Sequence, residues 1–202
     1  MIGSFASNRK RLGFFGGTFD PPHLGHLELA NLAIKQARLD KLLICPAYHA
    51  PLRTEPPLFS GLDRLAMIQK ICQAYEKMEP WDYEIQLQKI CFTYDTVIDL
   101  EKHFPDHKIF LLVGADQFSR LHLWHKHKAL IEKVHFLVFA RDTSKIKQPE
   151  VGNVEATFME NALINISSTD IRDKLCNQLF PAQLLPKEVS SFIKQKNLLS
   201  LN

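Results

Sequence analysis

Residues 12–26 read LGFFGGTFDPPHLGH, and this stretch decides the fold. Leu12 to Phe15 is a short apolar run stopped by Gly16-Gly17, the pattern of a buried strand ending in a turn. Pro21 and Pro22 then fix the entry to a helix whose first turn carries His23 and His26. Standing three apart, the two imidazoles share one helical face. The glycines let main chain approach a ligand closely and present N–H donors, and the helix start adds partial positive charge. Strand, glycine turn and helix N-terminus in that order suit a polyphosphate. A lone His-x-x-His is most often a pair of core histidines; the glycine turn and the helix register set this one apart.

Working outward, short apolar runs alternate with helical patterns. A helix is expected over His23 to Arg38, a strand over Leu42 to Cys45, and a proline-rich loop through Pro51, Pro56 and Pro57. Ser60 reads as an N-cap. Tyr83, Ile85 and Leu87 alternate with polar residues and predict a strand with one wet face. Thr93 to Phe104 has helical spacing. Ile109 to Val113 and Val134 to Ala140 are continuous apolar strands, Thr143 to Asn153 is a polar loop, and Ile164 to Ile166 is a last strand. Helices follow from Ser168 and Pro186. Fully apolar strands separated by helices indicate an α/β protein whose parallel sheet is covered on both faces. Ligands of such sheets bind beyond the carboxyl ends of the strands, where Gly16 to His26, Pro46 to Arg53, Gly114 to Asp116, Arg141 and Ser167 to Arg172 all fall.

Composition bounds the rest. A chain of 202 residues with 46% hydrophobic residues and 14 Phe can bury a full core, and its length favours one domain over 1–202, with a helical C-terminal part from about 167. The formal net charge of +3 is too small for a dedicated nucleic-acid binder. Cys45, Cys72, Cys91 and Cys176 form no CxxC pair, so reduced thiols are expected. No apolar run approaches the ~18 residues of a membrane span, and Arg9 to Arg11 precede no signal-peptide core, so a cytoplasmic protein is expected.

A second constellation stands at Ser167-Ser168-Thr169-Asp170-Ile171-Arg172. Adjacent hydroxyls at a helix start, with Arg172 on the face of Thr169, make another anion clamp. Ser-Ser-Thr before a helix is most often a plain cap; two phosphate-shaped helix starts in one chain are harder to dismiss.

Together the two motifs resemble the nucleotidyltransferase superfamily with the His-x-Gly-His signature. Gly114-Ala115-Asp116-Gln117-Phe118, Trp124, Arg141 and the tail residues Pro186, Val189 and Leu198 resemble its bacterial nicotinate-nucleotide adenylyltransferase family. The likeness runs from Gly13 to Leu198. It implies a Rossmann-like nucleotidyltransferase fold and attack of the nicotinate mononucleotide phosphate on the α-phosphorus of ATP, giving deamido-NAD and pyrophosphate. By the same resemblance His23, His26 and Arg172 serve the reaction, and Gly16, Gly17, Thr18, Phe19, Gly114, Asp116, Ser168 and Thr169 hold ATP. Arg53, Thr93, Trp124 and Arg141 would meet the mononucleotide. Mg²⁺ would travel with the ATP phosphates, with no protein metal site, and a homo-oligomer is left open. No nucleic acid or membrane partner is implied.

Two stretches depart from the family pattern. Where Pro-Pro-His-Lys is common, this chain has Ala50-Pro51-Leu52-Arg53, and where Ser-Tyr-Thr is common it has Cys91-Phe92-Thr93. His49 is a candidate to replace the histidine lost at Leu52. Main-chain N–H groups around Thr93 and Trp124 are expected to meet the nicotinate carboxylate. His122, His125 and His127 read as a solvated surface, and Asp20 as a structural residue of its turn. Other acceptors, such as nicotinamide mononucleotide or phosphopantetheine, and a non-catalytic nucleotide-binding regulator are the competing readings.

Overall fold

A computed structural model describes residues 9–51, 55–140, 149, 151–160 and 166–197. Six strands form one parallel sheet: β1 (Lys10–Gly17), β2 (Lys41–Pro46), β3 (Met78–Pro80), β4 (His107–Gly114), β5 (Val134–Phe139) and β6 (Ala156–Met159). Their order is β3-β2-β1-β4-β5-β6. The helices are α1 (Leu24–Gln36), α2 (Gly61–Cys72), α3 (Tyr83–Leu87), α4 (Thr93–His103), α5 (Ala115–Phe118), α6 (His127–Ile131), α7 (Ser168–Cys176) and α8 (Lys187–Gln195), with a 3₁₀ turn at Leu121–Leu123.

The inner strands are apolar throughout because each feeds two cores. Leu12, Phe14, Leu43, Ile109, Leu111, Phe136 and Val138 face one cluster, closed by Val97 and Leu100 of α4, Phe118 of α5 and Leu130 of α6. The intervening Leu42, Ile44, Phe110, Leu112, Leu137 and Phe139 face the other, closed by Ala30 and Ala33 of α1 and Ile68 and Cys72 of α2. Gly13 lets β1 pack closely on β2 and on the α1–β2 connection, since a Cβ there would stand 2.6 Å from both Leu39 and Leu42 side chains. On the outer side of α2, Met67 and Ile71 join Ile171 and Leu175 of α7 and Val189, Phe192 and Ile193 of α8 in a third cluster. That cluster docks the C-terminal helices beside the carboxyl end of the sheet. The strand order reverses between β1 and β4, and the crevice beyond their carboxyl ends is where a sheet of this topology binds nucleotides.

Two expectations about strands are corrected. Tyr83–Leu87 is helix α3, not a strand: its buried residues are the neighbours Glu84 and Ile85, and Gln86 N–H bonds the Asp82 carbonyl at 2.9 Å. The strand at this edge is the earlier Met78–Pro80, paired to β2 through Leu42–Met78 and Ile44–Pro80. At the other edge the sixth strand is Ala156–Met159, paired with Phe136 to Phe139. Of the strand expected at Ile164 to Ile166, the first two residues lie outside the described residues, and Ile166 packs against the third cluster instead. Among the described residues no helix is long and apolar enough to cross a membrane.

Candidate active site

The chain leaves β1 through Gly16 and Gly17 and enters α1 at His23. His23 is the N-cap in extended conformation (φ −139°, ψ 172°), and it forms a reciprocal capping box with His26. The His26 N–H donates to His23 Nδ1 at 3.4 Å, and the His23 N–H donates to His26 Nδ1 at 3.3 Å. A ring nitrogen that accepts from an N–H carries no proton, so the proton of each neutral imidazole sits on Nε2. The rings stack at 3.7 Å and 24°. This reciprocal capping favours the Nε2–H tautomer in both neutral rings. Behind them lies a small apolar hollow lined by Phe15, Phe19, Leu27, Ile44, Ile68 and Ile71. Phe19 takes a left-handed backbone (φ 49°) that turns its buried ring edge-on to His26 at 4.9 Å. A Cβ on Gly17 would lie 3.3 Å from that ring.

The second motif meets the first here, although Arg172 and Asp20 are 152 residues apart in sequence. Arg172 Nη1 donates to the Asp20 carbonyl at 3.0 Å and stands 3.6 Å from its carboxylate, while Nη2 donates to Thr169 Oγ1 at 3.1 Å. Ser168 Oγ donates to the Pro21 carbonyl at 3.3 Å. Ser167 does the capping, accepting the Asp170 N–H at 3.1 Å. Asp20, wholly buried, also accepts the Leu58 and Phe59 N–H groups at 3.0 and 2.9 Å. The Arg172 side chain, 19% exposed, braces the β1–α1 loop against the start of α7.

Sequence reasoning missed Arg64. It is 1% exposed and donates to four main-chain carbonyls: Phe59 O at 3.1 Å, Thr18 O at 2.6 Å, Ala47 O at 2.7 Å and Tyr48 O at 3.2 Å. One guanidinium therefore ties the loops after β1 and β2 to the entry of α2. The signal was present, because Arg64, Ile68 and Ile71 fall in helical register on the buried face. Glu84 was also missed. Burial pushes its carboxyl up to about 7, against the opposing pull of the Thr96 hydroxyl and the Arg64 charge. Thr96 Oγ1 lies 3.0 Å from Glu84 and 3.3 Å from the Phe92 carbonyl. A protonated Glu84 can donate to that hydroxyl, which then donates to Phe92 at the start of α4. Burial, then Glu84, also pushes the Cys45 thiol up.

Beyond α4's start the loop carrying Trp124 folds back. The His125 ring lies 4.5 Å from Phe92, and Lys126 Nζ stands 4.8 Å over the Tyr94 ring, so the two contacts straddle Thr93. Trp124 and Tyr94 pack against the same cluster. Of the main-chain N–H groups around Thr93 and Trp124, that of Trp124 itself bonds the Leu121 carbonyl at 3.0 Å in the 3₁₀ turn. Gly114 ends β4 beside β1. Asp116 is exposed in α5 and accepts from Gln117 at 3.1 Å. His49 is half-buried, next to Tyr48, whose carbonyl Arg64 holds. Arg53 and Arg141, like Leu52, lie outside the described residues. Among the described residues no group of three His, Cys, Asp or Glu side chains could hold a metal ion.

The family model for cytidylyltransferase-like proteins matches residues 14–174. A relative from Exiguobacterium sibiricum, named "Probable nicotinate-nucleotide adenylyltransferase", is 32% identical over 188 residues, spanning 93% of this chain and 98% of its own. Another of that name, from Shouchella clausii, is 35% identical over 190 residues, spanning 94% and 96%. Among solved structures, nicotinic acid mononucleotide adenylyltransferase from Plasmodium falciparum, complexed with NaAD, shares the fold. Its TM-score is 0.73 at 17% identity, over 96% of this chain and 98% of that one.

Proposed function

The chain belongs to the cytidylyltransferase-like family and, within it, to the nicotinate-nucleotide adenylyltransferases, and on that premise we propose that it transfers AMP from ATP to nicotinate mononucleotide, releasing pyrophosphate and forming deamido-NAD. The observation that carries the mechanism is the reciprocal cap that sets the stacked His23 and His26 rings at the start of α1, directly after the Gly16-Gly17 end of β1. The attacking group is a phosphate oxygen, already an anion, so no general base and no covalent intermediate are needed. Catalysis then consists of positioning two anions in line and stabilising charge on the transferring phosphoryl group.

His23 and His26 donate from Nε2 to phosphate oxygens of ATP, aided by the positive end of α1 and by main-chain N–H groups around Gly16, Gly17 and Thr18. Arg172, with Ser168 and Thr169 at the start of α7, supplies charge from the helix packed on the β1–α1 loop. Phe19 backs His26. Gly114 and Asp116 take the ATP ribose, a carboxylate just past a parallel strand being suited to ribose hydroxyls. Thr93 and Trp124 frame the pyridine ring, and Arg53 and Arg141 are assigned to the mononucleotide from the sequence alone. Members of the family use a divalent metal with ATP. We assign Mg²⁺, entering as the Mg-ATP substrate. The Asp20 carboxylate, occupied by two N–H groups and Arg172, fits a structural role and not that of a metal ligand.

The test is product analysis with Mg-ATP and nicotinate mononucleotide. Pyrophosphate and deamido-NAD should appear in equal amounts. Release of no pyrophosphate with that acceptor would overturn the assignment.

A further inference from the structure

The mechanism above makes no use of Glu84, a carboxyl only 7% exposed in α3. Its Oε1 lies 3.0 Å from the hydroxyl of Thr96, which is wholly buried in α4 and stands 3.3 Å from the Phe92 carbonyl. A hydroxyl has one hydrogen. Set between two oxygens, it bonds both only if one of them brings a proton, and a carbonyl cannot. Protonated Glu84 therefore donates to Thr96, which donates back to Phe92. Ionised Glu84 takes the Thr96 hydrogen for itself, and the bond to Phe92 is lost. A threonine bonded to the carbonyl four residues before it bends its helix. The Phe92 carbonyl keeps its main-chain donors, the Asp95 and Thr96 N–H groups at 2.9 and 3.2 Å, so the first turn of α4 changes its pitch and does not unwind. Thr93 opens that turn.

Arg64 of α2 is the charge that faces Glu84, and it draws the carboxyl down against the push of burial. Cys45 of β2, Cys91 before α4 and Tyr83 of α3 itself face it too. Burial first, then neighbouring negative charge, pushes all three up, so they stay uncharged near neutrality. From α4 the group that meets Glu84 is the Thr96 hydroxyl.

We propose that Glu84 is a positioning residue whose proton, relayed through Thr96, sets the first turn of α4 for the acceptor, so that losing the proton weakens the hold on the mononucleotide. This deepens the acceptor reading given above and rests on it, because that reading puts Thr93 at the pyridine ring.

The experiment measures kcat/KM for nicotinate mononucleotide at saturating Mg-ATP, in Glu84→Gln and wild type, between about pH 6 and about pH 8. The glutamine amide donates at every pH, as the protonated carboxyl does. Titration of the substrate phosphates and of other side chains is common to both enzymes and cancels in their ratio. With the carboxyl at about 7, its protonated share falls from about nine tenths at the lower limit to about one tenth at the upper. The ratio of Glu84→Gln to wild type should therefore climb from near one to about tenfold, through the KM of the acceptor and not that of ATP. A ratio that stays level overturns the proposal and leaves the acceptor reading standing, because wild type still makes deamido-NAD. Thr96→Val lacks the relaying hydroxyl at every pH, so wild type should exceed it about tenfold at the lower limit and match it at the upper. An equal excess at both limits overturns the proposal without recourse to Glu84→Gln. A wild type that turns over no nicotinate mononucleotide defeats the acceptor reading and the proposal together.

Discussion

Replacing Arg64 by methionine tests whether one buried guanidinium holds the site's loops. Its four bonds, at 2.6 to 3.2 Å, end on carbonyls of Thr18, Ala47, Tyr48 and Phe59. Hydrogen bonds from a charged donor are worth about 1.5–3 kcal/mol each, which would place the gross loss near 6–12 kcal/mol. Methionine, however, also removes the desolvation cost of a cation that is 1% exposed, several kcal/mol by itself. A net loss of about 3–5 kcal/mol remains. For a chain of this size each kcal/mol lowers Tm by about 2–4 °C, so the variant should melt roughly 6–20 °C below wild type. Arg64→Lys gathers its donors on a single nitrogen that cannot span four divergent carbonyls, so it should recover only part of the loss. The assay is thermal melting at neutral pH, with the KM for ATP as a second readout, because Thr18 lies on the β1–α1 loop. A Tm for Arg64→Met within about 2 °C of wild type would refute the reasoning.

Three further perturbations separate roles that the geometry assigns. His26→Asn keeps an acceptor where Nδ1 caps the helix and removes the Nε2 donor, so Tm should hold while kcat falls on the order of 10²-fold or more; near-normal turnover would dismiss the donor role. Glu84 has a folded pKa of about 7 against an ordinary 4.5, so the native state keeps a proton that the unfolded chain gives up. Stability should therefore decline as pH rises from about 4.5 to about 7, by at most about 3 kcal/mol, and Glu84→Gln should flatten that slope in melts across pH; an unaltered slope would count against it. Asp20→Asn removes the carboxylate charge 3.6 Å from Arg172 but keeps the main-chain carbonyl it donates to, whereas Arg172→Ala removes both contacts, so their effects on kcat/KM should be non-additive by about 0.5–3 kcal/mol in a double-mutant cycle. Strict additivity would show that Arg172 acts without Asp20.

What was readable in the chain follows from what each segment buries. β4 and β5 are apolar on both faces, and the stretch from Leu12 to His26 combines glycines, prolines and histidines that have few other uses together. The sheet edges were not readable. Met78–Pro80 is three residues long, and Thr157 and Phe158 of β6 are exposed, so neither strand shows a period. In Tyr83–Leu87 a five-residue helix imitated strand alternation by chance. The candidate histidines were found from local pattern, yet the Asp20–Arg172 contact joins elements no local pattern can connect. Arg64 was legible in principle, as a charge in register with Ile68 and Ile71. The fate of the Trp124 N–H depends on a 3₁₀ turn, and short turns of that kind leave little trace in residue spacing.

The account is tested most directly by letting the two mononucleotides compete. Wild-type enzyme is given Mg-ATP with equal concentrations of nicotinate mononucleotide and nicotinamide mononucleotide, and deamido-NAD and NAD are separated and quantified at early times. Their ratio is the ratio of kcat/KM values for the two acceptors, independent of enzyme concentration. A site that meets the ring carboxylate with donors, which the amide would leave unpaired, predicts an excess of deamido-NAD of about 10²-fold or greater. Comparable amounts of the two products, or more NAD than deamido-NAD, would contradict it.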